Sequence, residues 1–136
     1  MKTVYIEIKT KGNSDIVDLT SELRKIVDKE ELKDAIIFLT VLGSTAALTT
    51  MEYEPGLVKD LKAALERVLP YKKDYVHNST WADDNGHSHL RSSFIKTEMF
   101  VSVTQSKLDL GIWQQVVLID FDTRPRDRKI VVKIVE

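Results

Sequence analysis

All three histidines of the chain lie close together, at His77, His87 and His89. Neutral imidazole is the commonest protein ligand for zinc and related metals, and three of them leave a coordination position open for water or substrate. If His87-Ser88-His89 begins an extended segment, both rings point to one side of the strand. His77, arriving from the preceding stretch, would then complete a facial set. The spacing is not one of the named zinc signatures. The same imidazoles could bind an anion or move protons without a metal, or they could simply cap backbone groups or sit in solvent.

Glu52 follows an apolar-flanked segment and precedes a helical pattern. It could act as a general base or hold a histidine tautomer; alternatively, Glu52 or Glu54 favours the helix N-terminus electrostatically. Gly43-Ser44-Thr45 offers a flexible backbone and two hydroxyls for a phosphate, against a plain bend between strands. It lacks the spacing of a P-loop, so no nucleotide cofactor is expected. Arg124, Arg126 and Arg128 suit bidentate phosphate contact, although Arg124 reads better as part of a solvated hairpin tip. Trp113 and Gln114 are placed in a strand, the tryptophan as a core or interface anchor and Gln114 as a donor to a ligand or a bridge between subunits.

The elements that must position these residues follow from periodicity. Val4, Ile6 and Ile8 alternate as in a strand with one buried face. Asn13 and Ser14 are expected to cap a helix carrying Ile16, Leu19, Leu23, Ile26 and Val27 on one stripe. Residues 35–42 form a short apolar run rich in β-formers, read as a buried central strand. Pro55 opens a second helix with Leu57, Val58, Leu61, Ala64, Leu65 and Val68 on its stripe, and Pro70 ends it. Asp60 on that helix is expected to face water or pair with Lys59 or Lys62. From Lys72 to His89 the chain is polar and unpatterned, a candidate functional loop. Residues 94–103, 112–121 and 130–135 read as strands. Consecutive apolar residues at Val116 to Ile119 imply burial on both faces, by helices or by another subunit. The expectation is one α+β domain over residues 1–136, with two helices packed on a largely antiparallel β-sheet or sandwich.

Composition narrows the function classes. Twenty basic against twenty-one acidic side chains leave a net charge of −1, so nucleic acid is not an expected partner. The absence of cysteine excludes disulfides, thiolate metal sites and cysteine nucleophiles. No apolar run approaches the length of a membrane span and no leader pattern opens the chain. A cytoplasmic protein without membrane contact is the default expectation.

Several segments, taken in order, resemble the YjbQ-like family. Ser44-Thr45-Ala46-Ala47-Leu48-Thr49-Thr50-Met51-Glu52 looks like its small-residue segment ending in glutamate. His77 followed by Asn85-Gly86-His87-Ser88-His89 looks like its single histidine and Asn-x-His-x-His element. Leu110-Gly111-Ile112-Trp113-Gln114 resembles its Leu-Gly-x-Trp-Gln hairpin, and Pro125-Arg126-Asp127-Arg128 its closing Pro-Arg-x-Arg. Asp60 matches an acidic position in the second helix. Gly43 stands where many members carry histidine. The family is largely uncharacterised and similar to proteins described as secondary thiamine-phosphate synthases. The resemblance implies compact homotrimers with sites near the subunit contacts. On that basis His77, His87 and His89 would bind a divalent metal, zinc first, or a phosphorylated ligand, with Glu52 as base or orienting carboxylate. Ser44, Thr45, Gln114 and Arg126 would contact the ligand. A non-catalytic oligomer holding a metal or anion, and a metal-dependent hydrolase, are the alternatives.

Overall fold

The computed structural model describes residues 1–136. The chain runs β1 (Lys2–Thr10), β2 (Asp15–Asp18), α1 (Thr20–Lys29), β3 (Ala35–Val41), β4 (Ala46–Met51), α2 (Pro55–Val68), α3 (Val76–Trp81), α4 (Gly86–Ile95), β5 (Glu98–Thr104), β6 (Lys107–Leu108), β7 (Gln115–Asp120) and β8 (Arg126–Val135). The strands form a five-stranded sheet ordered β1-β8-β3-β5-β6 and a three-stranded sheet ordered β2-β7-β4. Every pairing is antiparallel, so the α+β class expected from the sequence is the one observed.

The alternation in β1 and β3 does what a period of two requires. Ile37, Leu39 and Val41 of β3 turn inward beside Ile130, Val132 and Ile134 of β8. They meet Ala46 and Leu48 of β4, Val116 and Leu118 of β7, and Leu23 and Val27 of α1 in the main core. The opposite face of the three-stranded sheet carries Ala47, Val117 and Ile119 into a smaller cluster under α2 and the end of α4. Strand β7 is therefore sandwiched between two layers. Val116, Val117, Leu118 and Ile119 are all fully buried, as their unbroken apolar run implied. The outer face of the five-stranded sheet has no such cover: Tyr5, Phe38 and Phe100 are 57%, 45% and 64% exposed, and Phe38 lies opposite Phe100 in the ladder. The central strand is thus buried on one face only.

Three expectations need correction. Asn13 and Ser14 do not cap a helix. With Gly12 they form a turn at φ values of 53°, 62° and 77°, a conformation short polar side chains and glycine adopt readily. Ile16 then lies in β2, paired with Ile119, and α1 begins at Thr20, whose N–H donates to Asp18 at 2.9 Å. Second, residues 72–89 are not one loop, and the helices number four rather than two. Helix α4 was invisible because its inward face is polar: Gly86, His87, Ser88, Arg91 and Ser92 are buried while Leu90 and Phe94 face out. Ser88 and Ser92 replace apolar packing with bonds to the carbonyl oxygens of Phe121 and Ala46. Third, Trp113 and Gln114 precede β7 in a turn, and Trp113 is exposed.

Helix α2 follows the sequence closely. Pro55 is at its first turn and the Glu54 carboxylate accepts from the N–H groups of Gly56 and Leu57, so Glu54 rather than Glu52 is the cap. Its exposed face includes Asp60. No helix is long and apolar enough to cross a membrane.

Candidate functional site

Strands β3 and β4 are joined by Leu42-Gly43-Ser44-Thr45, and this bend rests on a buried ionic platform. Arg128 of β8 donates through Nε and Nη2 to Asp120 at 2.8 and 2.7 Å, and Nη2 also reaches Thr45 Oγ1 at 2.7 Å. Thr45 Oγ1 donates to Asp122 at 3.2 Å, which Arg126 holds through Nε at 2.8 Å. Asp120 further accepts from the Thr10 hydroxyl and from the Asp122 N–H. Burial pushes the Asp122 carboxyl up, but the Arg126 hydrogen bond, the Thr123 N–H and Thr45 outweigh it and hold the group below the usual carboxylate range. Two arginines thus meet two aspartates in charge balance, and Thr45 is fastened between them. Arg126, expected as a phosphate ligand, is paired with Asp122 instead. Ser44 stands exposed above the platform.

The histidines divide into two groups. On a helix, positions two apart point about 200° from each other, so His87 and His89 cannot share a side as they would on a strand. His87 turns inward, 2% exposed. Its ring centroid is 4.4 Å from that of Tyr71, Nε2 is 3.2 Å from Ser88 Oγ, and Nδ1 is buried without a partner. Burial, aided by the Arg91 charge, pushes its pKa down and so favours the uncharged ring. Its neighbour Arg91 clips α4 to the end of α2 through the Leu69 carbonyl and Glu66, and to Ser14.

His89 faces the other way and meets His77 of α3, ring centroids 4.4 Å apart at 53°. Burial and the adjacent His77 lower the His89 pKa, offset in part by Asp83, Asp122 and the Ser44 backbone. Asp83 Oδ1 is 3.8 Å from His77 Nε2. With its amide nitrogen turned this way, Asn85 donates to Asp83 at 2.9 Å and to His77 Nε2 at 3.2 Å. Beside this pair a cleft of 410 Å³ opens between the Gly43-Ser44 bend and the C-terminal half of α4, with no hydrophobic residue in its lining.

Glu52 and Gln114 lie elsewhere. Strand β4 separates Thr45 from Glu52 by six residues, about 20 Å of extended chain. Glu52 is exposed. Gln114 donates to Thr50 Oγ1 at 3.1 Å and accepts from the Gly111 N–H at 3.0 Å, at the same far end. One chain therefore brings together Ser44, Thr45, His77 and His89, sets His87 behind them, and leaves Glu52 and Gln114 apart. It also draws in Asp83 and Asn85 from the same polar stretch, and adds Lys96, Asp120 and Asp122, which the pattern reading did not single out. The Asp120-x-Asp122 and Arg126-x-Arg128 alternations signal one-sided charged segments, but only the packing of the two sheets brings them face to face, through the Arg128–Asp120 and Arg126–Asp122 bonds.

The chain as a whole has known relatives. The profile described as UPF0047 protein YjbQ-like matches residues 4–136. The chain belongs to this YjbQ-like family. A UPF0047 protein of Archaeoglobus fulgidus is 32% identical over 128 residues, covering 94% of this chain and 97% of that one. An uncharacterised YjbQ/UPF0047 protein of Clostridium acetobutylicum, of known crystal structure, is 30% identical with a TM-score of 0.88 over 97% of this chain and 99% of that one. A protein of unknown function from Sulfolobus solfataricus is 29% identical, with a TM-score of 0.85 and 99% coverage of both chains. The two solved structures share the whole fold with this YjbQ-like chain.

Proposed function

We propose that this YjbQ-like protein binds a small phosphorylated molecule in the cleft beside His89, with the His77–His89 pair stabilising or relaying charge at the bound group. The observation that carries the reading is the cleft itself: a lining of hydroxyl, imidazole and ammonium groups with one carboxylate, Glu98, and no hydrophobic residue, backed by a platform whose own charges cancel. Among reactions of such ligands, the family resemblance favours thiamine-phosphate synthesis. There the thiazole nitrogen forms a bond to the pyrimidine methylene carbon as the carbon–oxygen bond to pyrophosphate breaks. The leaving group departs with the bonding electron pair, and groups that gather negative charge lower the barrier. A non-catalytic anion-binding role is the alternative within the same cleft.

A metal fits one chain poorly. Two imidazoles are adjacent and Asp83 approaches one of them, but no three His, Asp or Glu groups are arranged to hold an ion. His87, buried against Tyr71, is not available to complete the set. A divalent ion, zinc first, would need a further ligand from another copy, and no step is assigned to it. Assembly as a homotrimer is the reading under which Glu52 and Gln114 of one copy could approach the His77–His89 pair of another. The exposed aromatic face of the five-stranded sheet supplies apolar area for such contacts.

The test is calorimetric titration with inorganic phosphate and pyrophosphate, run alongside elemental analysis, on the wild type and on His77→Ala and His89→Ala. Saturable binding that weakens about tenfold or more in both variants, from loss of charge-assisted contacts, is the expected result. Coupling of the two thiamine precursors would then be assayed. If the wild type binds neither anion, the reading is wrong. Near-stoichiometric metal that disappears in both variants would move the assignment to a shared metal site.

A further inference from the structure

Eight residues other than glycine have positive φ, and seven of them cluster between 49° and 62°, the ordinary left-handed region. Lys96 is the exception, at φ 94° and ψ 152°. That region is populated almost only by glycine, because a Cβ there crowds the adjoining peptide groups. The conformation is imposed on every side. The Lys96 N–H donates to the Ser92 carbonyl at 2.8 Å, its own carbonyl accepts from Leu48 N–H at 3.0 Å, and the carbonyl of Thr97 accepts from Val41 N–H at 2.9 Å. These bonds lock the junction of α4 and β5 onto β3 and β4. Each is made by the backbone, so glycine would make all three without strain.

What a glycine could not supply is the side chain. Ser93 follows His89 by one turn of α4, Lys96 sits just past the end of that helix, and all three line the polar cleft with Ser44. The cleft also holds one carboxylate, Glu98, which accepts from the Thr97 hydroxyl at 2.7 Å. Beneath Gly43, itself at φ 128°, lies Arg128 Nη1, only 2.8 Å from the position a Cβ would take. The other two nitrogens of that guanidinium are spent on Asp120 and Thr45. Lys96 is thus the ammonium group of the cleft, and it is kept against the preference of its own backbone.

We infer that Lys96 is an anion-binding residue of the cleft, contacting the phosphoryl oxygens of the ligand together with the Ser44 and Ser93 hydroxyls. This rests on the phosphorylated-ligand reading above and names a residue that reading did not require. Strain and function pull Lys96→Gly in opposite directions, which makes the substitution diagnostic. Relief of the forbidden backbone should raise Tm by about 2–8 °C, after allowing for the greater freedom of glycine in the unfolded chain. Loss of the ammonium should weaken phosphate or pyrophosphate binding about 10- to 100-fold. Lys96→Arg, which keeps both charge and strain, should bind within a few-fold of wild type and gain no stability. If the wild type binds and Lys96→Gly is stabilised but binds equally well, Lys96 is merely a strained residue and the inference falls while the cleft reading stands. Failure of the wild type to bind either anion overturns both.

Discussion

The buried platform under the Gly43–Thr45 bend can be broken at one residue. Arg128→Ala removes two hydrogen bonds to Asp120 and one to Thr45. It leaves the Asp120 carboxylate with only the Thr10 hydroxyl and the Asp122 N–H. Asp120 is 0% exposed and Arg128 7%, so water screens the pair very little. Stranding one partner of a buried ion pair costs about 3–5 kcal/mol, a large share of a total of about 5–15 kcal/mol. With a urea m-value of about 1–3 kcal/mol per molar, the unfolding midpoint should fall by about 2 M. Arg128→Lys keeps the charge but not the fork of donors, and should fall by roughly half as much. The double variant Asp120→Leu, Arg128→Met removes both charges and should recover most of the loss. A single variant within about 1 kcal/mol of wild type, or a double variant no better than the single, would refute the view that Asp120 depends on Arg128 for its charge.

Two other consequences are accessible to simple measurements. The folded-state pKa of His87 is depressed by burial and by Arg91. Between that value and about 6.5 the unfolded chain therefore binds a proton that the folded chain refuses. Stability should fall as pH drops below about 6.5 and level off beneath the folded pKa; His89 shifts in the same direction. Urea midpoints at three pH values between 7.5 and 5.5 should show a shallower slope for His87→Gln than for wild type, and equal slopes would reject His87 as a contributor. The outer face of the five-stranded sheet gives a second test. If Phe38 and Phe100 support the homotrimer, Phe38→Glu with Phe100→Glu should reduce the mass by light scattering to the 15.6 kDa chain. A wild type already monomeric would remove the trimer from the proposal.

Legibility followed the physics of each segment. Where apolar residues face one core, as in β1 and α2, period located the element and its buried side, whereas β3 was found by its apolar run and is buried on one face only. Val116 to Ile119 even disclosed two-sided burial. Where polar residues supply the contacts, period misled. Helix α4 packs through Ser88, Arg91 and Ser92 onto backbone carbonyls, so its sequence carries no apolar stripe and reads as loop. That single misreading turned His87 and His89 into neighbours on a strand. The residue types of the candidate site were recognisable, but their grouping required the helix. Lys96 gave no signal at all, since a backbone angle cannot be read from one lysine inside a segment that patterns as a strand.

The polar inner face of α4 also explains how the site is held. Ser92 bonds to the Ala46 carbonyl at the start of β4 and Ser88 to the Phe121 carbonyl after β7. Those two segments flank Thr45 and Asp122, which belong to the ionic platform. Helix and bend are therefore referenced to the same strand ends, and His89 is fixed relative to Ser44 by short hydrogen bonds rather than by apolar packing. Apolar contacts tolerate sliding, whereas a serine hydroxyl on a carbonyl fixes position to a few tenths of an ångström. The same construction bears on Gly43. Its φ of 128° and the nearness of Arg128 Nη1 leave no room for a side chain without moving that guanidinium. Moving it would loosen Thr45 and Asp120 together. Under the proposed anion-binding reading, the bend would contribute backbone and hydroxyl groups, and imidazole chemistry would fall to His77 and His89 of α3 and α4.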